Sequence, residues 1–216
     1  MAGSDTRRRI LESGVEKFGT QGYRGTRLRE LIEAAGVNQA AVNYHFGSKE
    51  GLYRAILLEY AALLAKRRQA LLEAVLESCG SRRPRVEDVL RAFIEPFFEL
   101  RESPGGDAVG RFFEQFIAER APFIQSLYRE ALKPTADRFV AALERALPEV
   151  PRAEICRAYA WTAHLMAHGS DDVVFQVLTD STEPSSLEGV LDFCVGGFER
   201  LERHYRPDGG TPTARR

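Results

Sequence analysis

The chain has 216 residues, of which 44% are hydrophobic and 28% are charged, and its formal net charge is −1. These proportions are those of an ordinary soluble globular protein, and the length suits one large domain or a small domain joined to a larger one. No apolar run approaches the roughly 18 residues that would predict a membrane-spanning helix. The polar start MAGSDTRRR does not resemble a secretory signal, so we expect a protein that stays in the cytoplasm and does not enter a membrane.

Charge and cysteine content add little to this picture. Residues 1–50 hold eight Lys and Arg against six Asp and Glu, whereas the rest holds 22 against 25. A mildly basic N-terminal end favours phosphate as a partner. The three cysteines are scattered and show no Cys-x-x-Cys spacing, so neither a zinc knuckle nor a disulfide framework is indicated.

Three helices are predicted in the first 47 residues. The first ends at Gly19, because glycine follows its last apolar position. The second begins at Thr26, a candidate N-cap, and ends at Gly36, which permits a tight left-handed turn. The third begins at Val37 and ends at Gly47. The apolar positions of the second helix fall at i, i+3, i+4 and i+7 and are Leu28, Leu31, Ile32 and Ala35.

The remainder also has helical periodicity. A long helix begins at Ser48, with the basic run Lys66–Arg68 on its surface, and further helices are predicted at about 86–102, 107–119, 122–146, 152–168 and 185–204. Pro134 should kink the helix that contains it. The sequence therefore predicts an all-α protein. Its predicted domains are 1–47, a three-helix helix-turn-helix domain; 48–206, a larger helical domain; and 207–216, a disordered tail.

The third helix carries the strongest functional indication. Val42 and Phe46 point inward, which leaves Gln39, Ala40, Asn43 and Tyr44 on other faces. Amide side chains can pair with adenine in the major groove, an alanine methyl can meet thymine, and a tyrosine hydroxyl suits a phosphate. The flanking cations Arg27, Arg29 and Lys49 could contact phosphates.

The stretch from Phe18 to Leu57, FGTQGYRGTRLRELIEAAGVNQAAVNYHFGSKEGLYRAIL, closely resembles the DNA-binding domain of TetR-type repressors. The resemblance implies a homodimer, a palindromic double-stranded operator and control by a small-molecule effector. Many family members have tyrosine where this chain has Asn43, so the base preference does not transfer. His45 could contact DNA or pack against the helices. The residues at family DNA-contact positions are Thr26, Arg29, Gln39, Ala40, Asn43, Tyr44, His45 and Lys49.

An effector site is indicated by the aromatic content of the second domain. A doubled aromatic cannot place both rings on one narrow helical stripe, so one ring of each pair could line a cavity for an apolar ligand. The alternative is that all of these rings form the core. A regulator that uses its body only to dimerise is a further alternative. The candidate ligand-binding residues are Phe97, Phe112, Phe113, Phe116, Trp161 and His164.

His164 and His168 have the i, i+4 spacing of helical zinc sites. A metalloprotease would need Glu after the first histidine, where this chain has Leu165, so an enzyme is poorly supported. Asp171 or Asp172 could supply another metal ligand, but hydrogen-bonded histidines in a helix-packing interface are favoured. We therefore predict no metal, no cofactor and no catalytic residues.

The last predicted helix has an apolar face interrupted by Gly196 and Gly197, which cost helix stability unless another helix approaches closely. By the resemblance, this helix and the 152–168 helix pair with their copies in a homodimer. Packing within one chain is the alternative.

Overall fold

The structure is a computed structural model that describes residues 2–168, 177–180 and 185–206, with the backbone alone for 2–4. A π-helical segment, Tyr128–Leu132, joins the seventh helix to the eighth. Within the described residues there is no β-strand, which confirms the all-α class. The helices are α1 (Ala2–Gly25), α2 (Leu28–Ala35), α3 (Gln39–Phe46), α4 (Lys49–Cys79), α5 (Val86–Glu102), α6 (Gly106–Ala118), α7 (Ile124–Leu127), α8 (Lys133–Ala146), α9 (Arg152–His168) and α10 (Leu187–Tyr205).

The chain divides into two compact units. The first unit comprises Met1–Lys66 and Phe97–Pro134, and the second comprises Arg67–Pro96 and Thr135–Arg216. The predicted tail, 207–216, lies outside the described residues. None of the described helices combines the length and the apolar character that crossing a bilayer requires.

The first unit is built around the contact between α1 and α6. Gly19 makes this contact possible: a Cβ atom there would lie 3.0 Å from the Ala108 carbonyl oxygen and 3.2 Å from the Phe112 amide nitrogen. Gly19 therefore serves close packing, and the prediction that it ends the first helix is wrong. The non-helical residue in α1 is Gly22, with φ 67° and ψ 176°.

Aromatic side chains fill the core of the first unit. Tyr53 of α4 is fully buried, and burial raises the pKa of its hydroxyl. Because aromatic pairs favour edge and tilted geometries at these separations, the cluster contributes directional packing as well as buried area. The ring centroid of Tyr53 lies 4.9–6.4 Å from those of Phe18, Tyr23, Phe112, Phe116 and Phe123.

The second unit has its own aromatic centre. The ring of Phe93 lies 5.3 Å from that of Phe139 and 4.7 Å from that of Tyr159. Arg68 of α4 is buried at 5% exposure beside Phe93. The prediction that Lys66–Arg68 lies on the surface is therefore wrong for Arg68, which occupies a position of the buried stripe of its helix.

Two further predictions about helix ends are corrected. Thr26 is not an N-cap: α2 has Arg27 at that position, and no side chain caps it. The third helix begins after Asn38, whose side-chain oxygen accepts a hydrogen bond from the Ala41 amide.

The disturbance expected from Pro134 takes the form of the π-helical segment that ends just before it. Proline has no N–H to donate to the carbonyl of the residue four positions before it. The loss of this hydrogen bond accounts for the widened turn there.

Candidate DNA-binding surface

The turn between α2 and α3 is fixed by backbone geometry and by α1. Gly36 adopts a left-handed conformation, with φ 61° and ψ 41°, that a residue with a Cβ atom rarely takes. The Ser13 hydroxyl donates to the Leu31 carbonyl at 3.0 Å, and an Arg9 nitrogen donates to the Ala35 carbonyl at 3.3 Å. The bond to Ala35 satisfies a carbonyl at the C-terminal end of α2, and both bonds hold that helix against α1.

Helix α3 turns one side inward and the other outward. Val42 is fully buried and Phe46 is half-buried, as the sequence predicts. Tyr44 is 86% exposed, an unusual exposure for a large ring in a folded chain. The outer face of α3 therefore presents amide, methyl and phenol groups to the surroundings. The exposed residues on it are Gln39, Ala40, Asn43 and Tyr44.

His45 lies between these two faces. Its ring is half-buried, at 5.0 Å from the ring of Tyr44 and 6.1 Å from that of Phe46. Both roles considered for it, packing and DNA contact, are compatible with this position.

The cations near α3 differ in how they are held. Arg27 is exposed, and Arg29 is exposed while its Nε atom pairs with Glu33 at 2.8 Å. An exposed i, i+4 pair is worth only about 0.3–0.5 kcal/mol, so a DNA contact could replace it easily. The ammonium of Lys49 is half-buried 4.5 Å from the centre of the Tyr23 ring. Desolvation lowers the pKa of Lys49, and the negative charge of Glu119 partly opposes this change.

Thr26 has a structural position. It is 1% exposed, and its hydroxyl lies 2.7 Å from the carbonyl oxygen of Gly22 and 3.0 Å from that of Lys17. Its amide N–H donates to the Gly22 carbonyl as well. Thr26 therefore serves the connection between α1 and α2, and the DNA contact expected at this family position stays a prediction.

Glu119 was not anticipated from the sequence. This largely buried carboxylate accepts hydrogen bonds from the amides of Arg120 and Ala121 and lies 3.4 Å from Arg24. It thereby places a fixed negative charge near Lys49. No sequence pattern indicates it, because it follows α6 and meets these cations only in the folded chain.

The predicted ligand-binding residues lie in both compact units. Four phenylalanines are together in the first unit, where Phe113 lies 5.9 Å from Phe97 and 6.0 Å from Phe112 between ring centroids. All four, Phe116 included, are at most 5% exposed. Trp161 and His164 are exposed on α9 in the second unit.

The histidine pair is fixed by its own helix. His164 Nδ1 donates to the Ala160 carbonyl at 2.8 Å, and the rings of His164 and His168 stack at 6.5 Å. Within the part of the chain that the structure describes, no group of three potential metal ligands occurs. The two aspartates considered as further ligands, Asp171 and Asp172, lie outside the described residues.

An apolar groove runs between α9 and α10. It encloses about 330 Å³, and it includes Trp161 at 65% exposure and Phe193 at 75% exposure. Among the described residues, a Cβ atom at Gly196 or Gly197 would meet nothing within 4 Å, so close approach by this part of the chain does not explain these glycines. The residues lining the groove are Ala158, Trp161, Thr162, Leu165, Phe193, Cys194, Gly197, Phe198 and Leu201.

Two parts of the chain match the sequence models of known families. Residues 10–56 match the sequence model of the family described as bacterial regulatory proteins, tetR family, and residues 91–197 match that of the tetracyclin repressor-like C-terminal domain. Together the two matches cover well over half of the chain. The chain belongs to the TetR family.

Curated relatives match the N-terminal region of this TetR-family chain. They include the transcriptional regulatory protein RaaS of Mycobacterium tuberculosis, 55% identical over 47 residues, which are 22% of each chain. The repressor AcnR of Corynebacterium glutamicum is 40% identical over 63 residues, which are 29% of this chain and 34% of that protein. The matches thus span only about a fifth to a third of the length of these relatives.

Solved structures share the fold over most of the chain. HlyIIR, a hemolysin II transcriptional regulator, superposes with a TM-score of 0.63 at 19% identity, covering 90% of this chain and 97% of that one. A TetR-family protein from Shewanella sp. PV-4 gives a TM-score of 0.61 at 18% identity, covering 89% and 95%. At such identities the likeness shows the fold alone.

Proposed function

We propose that this TetR-family chain is a sequence-specific DNA-binding regulator of transcription, a repressor without enzymatic activity that acts on the chromosome in the bacterial cytoplasm. The observation that carries the proposal is the exposed face of α3. Four side chains of α3 that the core does not use face outward, and hydrogen bonds from α1 hold the preceding helix in place. A helix presented in this way can enter the major groove.

The contacts divide into two kinds. Gln39 and Asn43 discriminate between bases, and the methyl group of Ala40 allows close approach to the groove. We assign Arg29 and His45 to the same contact surface. Phosphate contacts come from Arg27, Tyr44 and Lys49, and they supply most of the affinity. The list leaves out Thr26, which is buried.

The domain division follows from these roles. Residues 1–47 bind DNA, and residues 48–206 bind the effector and dimerise. Helix α6 supports the DNA-binding domain, because Gly19 and Glu16 of α1 contact it directly; the Arg111 guanidinium lies 3.2 Å from the Glu16 carboxylate.

The apolar groove between α9 and α10 forms the homodimer interface. Large exposed apolar patches on soluble proteins mark interaction sites. A second copy is the occupant we propose, because two-fold symmetry would cover both grooves at once and because the open space at Gly196 and Gly197 admits a neighbouring helix. Trp161 then belongs to the dimer interface, with His164 on its flank, and neither lines an effector site.

A small apolar effector bound in the helical body controls operator affinity. The sequence indicates Phe97, Phe112, Phe113 and Phe116 for its site. Because these rings are packed together and buried in the first unit, a ligand among them must displace one ring. An effector changes DNA affinity only if it binds the DNA-competent and the released conformations with different affinities.

The test is selection from a random pool of double-stranded DNA, followed by a salt titration of the enriched sequence. We expect an inverted repeat whose half-sites lie about one helical turn, roughly 34 Å, apart or a little more. The logarithm of its affinity should fall steeply with the logarithm of the salt concentration. Failure to enrich any sequence, with weak binding at low salt only, would contradict the proposal.

A further inference from the structure

Arg68 is a cation enclosed in the second unit. Its Nε atom donates to the Phe93 carbonyl at 2.8 Å, and its guanidinium carbon lies 4.1 Å from the centre of the Phe93 ring. One terminal nitrogen lies 3.5 Å from the sulfur of Met166. Burial lowers the pKa of Arg68 to about 10, so the side chain stays charged at neutral pH.

This charge has no anionic partner among the described residues. None of the ion pairs formed by the residues that the structure describes includes Arg68. A guanidinium has five N–H donors, and a thioether sulfur is only a weak acceptor, so one strong acceptor, the Phe93 carbonyl, serves this group. A buried charge without a counter-ion is costly, and such groups in proteins are ordinarily paired.

The surroundings of Arg68 are aromatic and include one hydroxyl. The ring of Phe93 contacts the rings of Phe139 and Tyr159. Tyr159 and Arg68 influence each other's ionisation, and burial raises the pKa of the Tyr159 hydroxyl. This hydroxyl therefore stays protonated and can donate a hydrogen bond to an anion.

We propose that Arg68 and Tyr159, which both lie in the second unit, bind the anionic group of the effector, and that the effector is an apolar compound bearing a carboxylate. This inference rests on the effector control proposed above and names the ligand class. A guanidinium pairs with a planar carboxylate through two parallel hydrogen bonds. A carboxylate brings one charge into this enclosure, whereas a phosphate monoester brings nearly two and would be more costly to desolvate.

The experiment measures binding of octanoate and 4-phenylbutyrate to the full-length chain by calorimetry and thermal shift, with octanamide and 4-phenylbutyramide as neutral counterparts. We expect the acids to bind and to raise the melting temperature, and the amides to bind at least tenfold more weakly. Arg68→Met should weaken acid binding roughly 10- to 100-fold, the loss expected for a charge-assisted hydrogen-bonded pair. Tyr159→Phe should weaken it about tenfold, since it removes one hydroxyl and keeps the ring.

Arg67→Met is the matched control, because it removes the same charge from the exposed neighbouring position. If Arg68→Met does not fold, Arg68→Lys replaces it as the test variant. It retains the positive charge but lacks the planar guanidinium, so it should bind the acids more weakly than the wild type does. Equal binding of acids and amides, acid binding that survives in the Arg68 variants, or no acid binding at millimolar concentration would overturn the inference. Operator binding by the ligand-free wild type is measured in parallel: if it persists, the inference alone fails, whereas its loss contradicts the proposed function.

Discussion

At the scale of single residues, Thr26 shows how a polar side chain near a DNA-reading helix can serve the fold. Its hydroxyl lies within hydrogen-bonding distance of two carbonyls of α1, and its side chain has no access to solvent. The hydroxyl thus satisfies acceptors at the point where the chain leaves α1. This connection sets the direction of α2, and α2 in turn positions α3.

Thr26→Val should therefore lower the free energy of unfolding by about 0.5–1.5 kcal/mol, because it keeps the shape and removes the one hydroxyl proton available to the Gly22 and Lys17 carbonyls. Urea denaturation measures this loss. Thr20→Val is the control, since the Thr20 hydroxyl donates to the Glu16 carbonyl of its own helix at an exposed position. Similar unfolding curves for the two variants would contradict the structural role of Thr26.

Asn43 and Lys49 should separate base discrimination from charge. Asn43→Ala should relax the choice at one base pair by about 1–3 kcal/mol, because it removes an amide from the exposed face of α3. Lys49→Ala should weaken binding to all sequences alike and reduce the salt slope by about 1. Binding of both variants to the selected operator and to random DNA, over a range of salt, measures the two effects. Equal losses on both DNAs for both variants would contradict this division.

At the scale of helices, the contact between α1 and α6 depends on one missing side chain. Gly19 lies against backbone atoms of α6, and two helix backbones cannot give way as the end of a flexible side chain can. The separation of these two helices is therefore set at this point.

Gly19→Ala should lower the free energy of unfolding by about 1–3 kcal/mol, the usual cost of overpacking. Gly25→Ala in the same helix is the control: its Cβ atom would meet only the Gln21 Cβ at 3.4 Å, and replacing glycine in a helix gains up to about 1 kcal/mol. Thermal and urea unfolding measure both changes. A Gly19→Ala variant as stable as Gly25→Ala would show that the helices can separate freely.

The helices that the sequence predicts best are those with strong periodicity and clear ends. Helix α9 has the predicted bounds 152–168, and α5 has the predicted bounds 86–102 although it contains Pro96. The prediction for Gly19 is wrong because local propensity cannot distinguish a helix-ending glycine from one that allows another helix to approach. The same limit applies to Arg68: it lies four residues after the buried Leu64, but its charge suggests a surface position.

The outward face of α3 could be predicted more completely than the surroundings of Glu119 and Arg68. The outward residues of α3 follow from helical periodicity around the buried Val42. By contrast, the positions of Glu119 and Arg68 depend on contacts between segments far apart in the sequence. Periodicity within a helix contains no information about such contacts.

At the scale of the whole molecule, the groove between α9 and α10 is an exposed apolar surface that a dimer would cover. Phe193→Asp would place a carboxylate in the proposed interface of each copy, and desolvating it without a partner costs several kcal/mol. We expect the dimer dissociation constant to rise roughly 100-fold or more, and operator affinity to fall with it.

Light scattering after size-exclusion chromatography measures this change, because the wild type should have twice the chain mass of 24.2 kDa. Leu63→Asp is the control, since Leu63 is 54% exposed on α4 and does not line the groove. A Phe193→Asp variant that keeps the mass of a dimer would place the interface elsewhere.

Because Trp161 lies in the proposed interface, its fluorescence can report dimer formation without a label. It is the only tryptophan of the chain, so all indole emission comes from one point on α9. An indole in water emits at longer wavelength than one in an apolar contact, and this ring is 65% exposed in the single chain. Emission should therefore shift to longer wavelength when the protein is diluted below its dimer dissociation constant. The Phe193→Asp variant should show the same longer wavelength at any concentration.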